Sequence, residues 1–296
     1  MGMTLKLDAP SMVPGGTRKV GFPAASMDLA EELGRLLVEK GFVASRSSLE
    51  ELHRFVNPED QQVDEHGLNN VTKSFYQTSP NFLDRFRQVV VHAAMEVFDF
   101  DFLFQATPTV RFHFQGPMPD AYRSPEGDYL GQHNDGMLGH SHEEINIWLP
   151  LTSCSASAAL QLAELPESIA LLKEFAAEFG ADHDTYHRAG RKLFVERMMR
   201  DLDFRARAVS ACKPRPMRYG EMLVFDSRSL HATAENREPM TRISIDFRII
   251  PVDRYDAIKM VYRSQGRSGR NFTRGDVFES RSGRELAREL APVGHS

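Results

Sequence analysis

His133-Asn134-Asp135 sets an imidazole and a carboxylate two residues apart. On an extended segment that spacing leaves both side chains on one face, able to grip one ion. A third donor is expected from His231, at the end of the run from Gly220 to His231, where an apolar strand delivers a histidine at its exit. Two neutral imidazoles and one carboxylate on one octahedral face leave three positions free, which is the donor set that suits a non-haem Fe(II) centre.

Further on, Thr241 to Phe247 reads as a strand with Arg242 and Ser244 on one face. A guanidinium binds a carboxylate bidentately and a neighbouring hydroxyl adds a third hydrogen bond, so the pair is a ready anchor for a dicarboxylate. Arg248 has the same parity as Arg242 and Arg237 lies just before it, so both are alternative anchors.

The order H-x-D, a strand ending in histidine, then R-x-S resembles the Fe(II)/2-oxoglutarate-dependent dioxygenases over about Arg111 to Pro251, most closely their phytanoyl-CoA-hydroxylase-like branch. The segments from His140 to Thr152 and from Ser157 to Leu162 are also similar to bacterial members from natural-product and sugar pathways. The resemblance implies a double-stranded β-helix, or jelly roll, with iron at His133, Asp135 and His231. It implies 2-oxoglutarate held by Arg242 and Ser244 with Trp148 beside it, O2 as the third reactant, and decarboxylation to succinate coupled to hydroxylation of a substrate. Asp135 disfavours halogenation, because related halogenases replace that carboxylate with a small residue. The substrate expected is a small polar metabolite of a biosynthetic pathway: an amino acid, aminocyclitol, sugar or sugar acid. Alternatives are desaturation or ring formation, an oxygenase on a larger lipid, polyketide or carrier-bound intermediate, or a metal-dependent jelly-roll isomerase, hydrolase or binding protein. The last group has no need of Arg242 and Ser244 as an anchor.

Other polar residues compete for places near such a centre. Ile145, Ile147 and Leu149 alternate with Asn146 and Trp148, which would turn the latter pair toward the lumen, although Trp148 equally suits a core. Arg111 and His113 share a strand face that meets either ligand or solvent, and His140 is a candidate substrate contact. His140 and His142 lack a third ligand for a second ion. His183 and His187 have helical zinc spacing, but Asp184 stands where a zinc protease has Glu, and Asp182 and Asp184 read as a solvated face. Cys154 and Cys212 suit small apolar packing.

These residues need a scaffold, and the sequence outlines one. Residues 1–25 read as a flexible arm. A helix starts at Ser26 as N-cap, buries Leu29, Leu33, Leu36 and Leu37, and stops at Gly41. A second has Ser48 and Glu51 at capping-box spacing with Leu49, Leu52 and Val56 inward, ending at Asn57-Pro58. A third runs from about Asn81 to Phe98 with Phe82, Phe86, Val89, Val90, Ala93 and Val97 on one stripe. From Pro108 the period becomes two, with strands at Val110 to Phe114, Glu144 to Leu151, Ala158 to Leu162, Met222 to Phe225 and Arg242 to Ile250. A helical insertion at about 166–208, carrying Leu171, Leu172, Phe175, Phe179, Leu193, Phe194, Met198 and Met199, would act as a lid. The expectation is a mainly β, single jelly-roll domain over 26–262 with helical support before it and an Arg-rich tail over 263–296.

Composition narrows the partners. The 296 residues carry 36 Lys and Arg against 41 Asp and Glu, a net charge of −5, which gives no overall basic field for a phosphate backbone. Two cysteines are too few for a disulfide scaffold, and no run of about 18 apolar residues suggests a membrane span. A cytoplasmic enzyme of a small molecule, bound to neither nucleic acid nor membrane and of undetermined oligomeric state, fits these numbers.

Overall fold

The computed structural model describes residues 10–65, 67–76, 79–178, 188–264 and 274–290. Strand β1 (Thr17–Gly21) is followed by α1 (Ala24–Met27) and α2 (Leu29–Glu39), with Asp28 between them in the left-handed region at φ 54°. Ser26 falls inside α1, so Asp28 and not Ser26 occupies the N-cap position of α2. The expected leucine face is nonetheless buried in full. Leu49–Arg54 forms a 3-10 helix that Ser48 precedes without a side-chain cap. That turn is stapled to the residue just before the last strand, because Thr241 N donates to Glu50 O (2.7 Å) and Thr241 Oγ1 accepts from His53 N (2.9 Å). Next come α3 (Pro58–Gln61), α4 (Asn70–Ser74) and α5 (Pro80–His92). Ser79 Oγ caps α5 by accepting from Phe82 N, and a π-helical turn, Ala93–Val97, extends it.

The β region comprises β2 (Phe102–Phe104), β3 (Thr109–His113), β4 (Ile145–Pro150) and β5 (Leu160–Leu162), then α6 (Leu165–Ala177), α7 (Arg188–Arg200) and α8 (Leu202–Ala211), and finally β6 (Lys213–Arg215), β7 (Glu221–Asp226), β8 (His231–Thr233) and β9 (Arg242–Pro251). The chain closes with α9 (Val252–Ser264) and α10 (Gly283–Leu290). All strand pairings are antiparallel. The large sheet has the order β1-β7-β4-β9-β2, with β3 on the other half of β9, and the small sheet has the order β6-β5-β8. His133 extends the small sheet by bridging to His231. From β3 onward the chain therefore passes to the small sheet at His133, back at β4, across at β5 and β6, back at β7, across at β8 and back at β9. That alternation is a jelly roll, as expected. The insertion joins β5 to β6.

The two faces of β9 differ in chemistry. Ile243, Ile245, Phe247 and Ile249 join the core built with α2 and α5, where the Phe86 and Phe247 rings meet edge to face at 4.9 Å. Arg242, Ser244, Asp246 and Arg248 face the small sheet, and Arg242 and Ser244 are almost completely buried there. Trp148, Leu223 and Phe225 from the large sheet meet Leu160 and Leu162 from the small one in a separate apolar cluster. Trp148, Leu160 and Phe225 line the lumen together with the charged face of β9.

Two expectations give way. Residues 17–21, placed within a flexible arm, form the edge strand of the large sheet through five paired positions with β7. Within the Arg-rich tail, placed outside the domain, α10 packs back onto α5 and the π-helical turn, with Leu286 buried in the core. The insertion packs Leu171, Leu172, Phe175, Phe194, Met198 and Phe204 into a second core that it shares with Leu130, Met137 and Leu230. Phe179, His183, His187, Asp182, Asp184, residues 1–9 of the arm, and residues 265–273 and 291–296 of the tail lie outside the described residues. Among the described residues no helix is long and apolar enough to cross a membrane.

Candidate metal centre

His133 and His231 exchange two backbone hydrogen bonds, 3.0 and 2.8 Å, and so stand directly opposite each other with ring centroids 4.5 Å apart. His231 does not lie at the exit of β7. It follows the turn Ser227–Leu230 and opens β8, because Asp226 and Arg228 close the turn by a buried ion pair at 2.7 Å. Asp135 starts a 3-10 turn, Asp135–Leu138, whose N-cap Asn134 accepts from Met137 N at 3.1 Å and whose C-cap is Gly139 at φ 92°. The H-x-D segment is therefore a strand end turning into a helix and not a continuous extended run. Asp135 N reaches Ser227 O at 3.3 Å, which ties this turn to the one before His231. Gly136 has no alternative here, since a Cβ would collide with the His142 ring.

The ligand atoms of His133, Asp135 and His231 lie within 4.8 Å of one another. Backbone carbonyls accept from both Nδ1 atoms, Gly131 O from His133 (2.8 Å) and Ser229 O from His231 (3.1 Å). A carbonyl cannot donate, so both rings carry their proton on Nδ1 and leave Nε2 as a bare lone pair. Burial pushes both imidazoles below their ordinary range, further for His133, where the neighbouring His231 and Arg191 add to the effect. Asp135 is buried, which by itself would raise its pKa, but Arg248, His231 and His140 outweigh burial and hold the carboxyl below its usual range. Arg248 Nε donates to Asp135 Oδ2 at 2.7 Å, while Oδ1 has no hydrogen-bond partner and faces His231 Nε2 at 3.5 Å. Two bare imidazole nitrogens and one unbonded carboxylate oxygen are the donor set of a divalent transition metal.

The three donors open onto a cavity of about 310 Å³. On its floor Arg242 is 2% exposed, its Nε has no acceptor, and no carboxylate pairs with it among the described residues. Burial pushes its pKa down to about 10. Ser244, next on the same face and fully buried, has an unpartnered Oγ but is not itself in the cavity wall. His113, opposite Arg242 in the β3–β9 register, has no partner on either ring nitrogen. Burial, then the Arg242 charge, pushes its pKa well down, which keeps it neutral. Asn146 adds an unpartnered Nδ2, and Trp148 lines the wall with its ring 5.9 Å from the Arg242 guanidinium. Buried polar groups without partners are rare, and their concentration on one cavity fits a polar, anionic ligand beside the donor cluster. Both the divalent metal and a dicarboxylate thus match the residues present.

Other candidates settle differently. Arg111 lines the cavity and pairs with Asp246 at 2.9 Å. Arg237 is 80% exposed and pairs with Glu235, and Arg248 is held on Asp135, so neither serves as the anchor. His140 does not line the cavity; its Nδ1 is 3.0 Å from Glu144 Oε2, and Glu144 in turn lies 3.8 Å from Arg248. It belongs to the support behind Asp135, whose backbone carbonyl accepts from His140 N at 3.1 Å. Cys154 and Cys212 are buried among apolar groups, as expected. Asp246, Tyr129 and Arg191 line the cavity without having been singled out in the sequence. Asp246 was legible, since it continues the parity of Arg242 and Ser244; Arg191 had no local signal.

No protein-family model matches the chain, nor does any curated protein. Several solved structures are similar to it. SnoN from nogalamycin biosynthesis, a non-heme alpha ketoglutarate dependent epimerase, is 12% identical with TM-score 0.42, over 80% of this chain and 78% of that one. EctD from S. alaskensis with bound Fe is 10% identical with TM-score 0.40, over 81% and 74%. AviO1 from Streptomyces viridochromogenes Tue57 is 13% identical with TM-score 0.40, over 80% and 90%.

Proposed function

We propose that the chain is a non-haem Fe(II)/2-oxoglutarate-dependent oxygenase that hydroxylates a small polar metabolite in a biosynthetic pathway. The observation that carries the reading is the presence, in one cavity, of the His133-Asp135-His231 donors and of Arg242 as a buried guanidinium with no carboxylate partner among the described residues. His133, Asp135 and His231 would hold the iron, and Arg242 with Ser244 would hold the far carboxylate of 2-oxoglutarate. When bound, these groups supply O2 activation coupled to oxidative decarboxylation of the 2-oxo acid to succinate and CO2.

The chain's own residues would do the remaining work. Arg248 holds Asp135 Oδ2 so that Oδ1 is the ligating atom. Neutral His113 and the Asn146 amide offer hydrogen bonds beside Arg242, and Trp148 closes the co-substrate end against water. Arg111 is kept on Asp246. A metal-dependent isomerase or binding protein would not need a buried guanidinium at this place.

Anaerobic titration of the apo-protein with Fe(II) and 2-oxoglutarate tests the reading through the weak visible charge-transfer band of the chelate. The band is expected in the wild type and absent in His133→Ala. Iron binding without the band would remove the co-substrate from the reading.

A further inference from the structure

Among the described residues, four guanidinium groups line the cavity, those of Arg111, Arg191, Arg242 and Arg248. Arg111 is paired with Asp246 and Arg248 with Asp135, and Arg242 faces the place of the co-substrate carboxylate. Arg191 has no carboxylate partner among the described residues, and its buried Nε has no acceptor. Arg191 is half-buried with its Nε wholly out of solvent, and a partly desolvated cation without a counter-charge suits an anion that arrives with a ligand.

The surroundings present Arg191 for that purpose. It stands in the first turn of α7, and α7 packs against the turn that carries Asp135. Its guanidinium carbon lies 4.4 Å from the centroid of the Tyr122 ring, which meets Tyr129 edge to face at 6.5 Å. Tyr129 lines the cavity, and Gly131 allows its approach, since a Cβ there would fall 2.6 Å from the ring. One N–H of the Arg191 guanidinium donates to the Tyr129 hydroxyl, and the remaining edge N–H groups, Nε among them, keep the planar geometry that matches carboxylate and phosphate. The docking of α7 on the Asp135–Leu138 turn puts the guanidinium on the metal side of the lumen.

We infer that Arg191, braced by Tyr122 and Tyr129, is the docking point for an anionic group of the substrate, a carboxylate or a phosphate monoester. The inference rests on the oxygenase reading above, in which the co-substrate occupies Arg242, and it narrows the small polar substrate to an anionic one.

The test uses full-length protein saturated with Mn(II) and 2-oxoglutarate, so that Arg242 and the metal donors are filled. Inorganic phosphate and acetate are titrated separately by calorimetry. The wild type is expected to bind one equivalent of at least one of them, and the tighter anion names the class. Arg191→Gln is expected to weaken that binding at least tenfold, and Arg191→Lys, which keeps the charge but loses the fork, by several-fold. Failure of the wild type to bind either anion, or unchanged affinity in Arg191→Lys or Arg191→Gln, would overturn the inference. Binding of 2-oxoglutarate to the wild type is measured in the same series; its failure would remove the oxygenase reading instead.

Discussion

Arg248 and Asp135 form the contact on which the metal donors turn: Nε donates to Oδ2 at 2.7 Å, and the other carboxylate oxygen is left without a partner beside His231. Glu144, also buried, stands 3.8 Å from the same Nε, so Arg248 separates two carboxylates that would otherwise repel. Arg248→Gln should therefore release Asp135 from its orientation. Support of this kind around a metal ligand is typically worth about 10–100-fold in affinity. Chelator competition should show a loss of that size, with Arg248→Lys intermediate and Asp135→Ala abolishing succinate formation. Unchanged metal affinity in Arg248→Gln would show that Asp135 needs no such brace.

Arg242 should separate co-substrate from metal. Hydrogen bonds to charged groups are worth about 1.5–3 kcal/mol, so Arg242→Ala should raise the 2-oxoglutarate requirement roughly 10–100-fold. Iron affinity should stay within about threefold, because Arg242 touches none of the three donors. Arg242→Met fills the same space without the buried charge and should melt no lower than the wild type. Parallel loss of iron and 2-oxoglutarate would count against the anchor.

The lowered histidines fix a pH dependence. Protons and metal compete for Nε2 of His133 and His231, and both rings titrate below the ordinary imidazole value of about 6.5. Metal affinity should stay level from pH 8 to about 6.5 and fall only below that. Stability of the apo-protein follows the same sign. Below about pH 6.5 the unfolded chain takes up protons that buried His113, His133 and His231 refuse, so stability present above that pH is lost as pH falls. Each such histidine contributes a slope of up to about 1.4 kcal/mol per pH unit. Urea midpoints at pH 7.5, 6.5 and 5.5 should show the decline, and His113→Asn should make it shallower.

Much of this was readable in the chain because it depends on period and order. The period-two alternation of β9 separates Ile243, Ile245, Phe247 and Ile249 from Arg242, Ser244, Asp246 and Arg248, and the fold keeps that division. The three donors meet as their types and order suggested. What sequence could not supply depends on contacts between distant elements. The pairing of β1 with β7 is set by edge hydrogen bonds that a five-residue strand with one apolar side chain does not advertise. Arg248 has the parity of Arg242, and only the turn that carries Asp135 against it decides which of the two is left free. Arg191 reaches the lumen because α7 docks on that turn, and no local pattern in an inserted helix encodes where it docks.

The edge of β3 supplies the last prediction, because this strand brings Arg111 and His113 to the cavity and pairs with β9 on one side only. Its free edge is closed by α4. Phe112 N donates to Thr72 Oγ1 at 3.0 Å, and Phe112 O accepts from Asn69 Nδ2 at 2.6 Å, while Asn69 Oδ1 caps α4 by accepting from Thr72 N at 2.9 Å. All three residues are buried, so no water replaces a lost partner. Thr72→Val keeps the shape and strands the Phe112 N–H, which should destabilise by about 1–3 kcal/mol. Thr72→Ser keeps the hydroxyl and should lie within about 1 kcal/mol of the wild type. Asn69→Ala removes the cap and the partner of Phe112 O together and should exceed Thr72→Val. Urea unfolding should rank the variants in that order. Since β3 also sets His113 beside Arg242, Thr72→Val should weaken 2-oxoglutarate binding while metal affinity holds, and equal weakening of both would mean that β3 supports the fold without positioning the anchor.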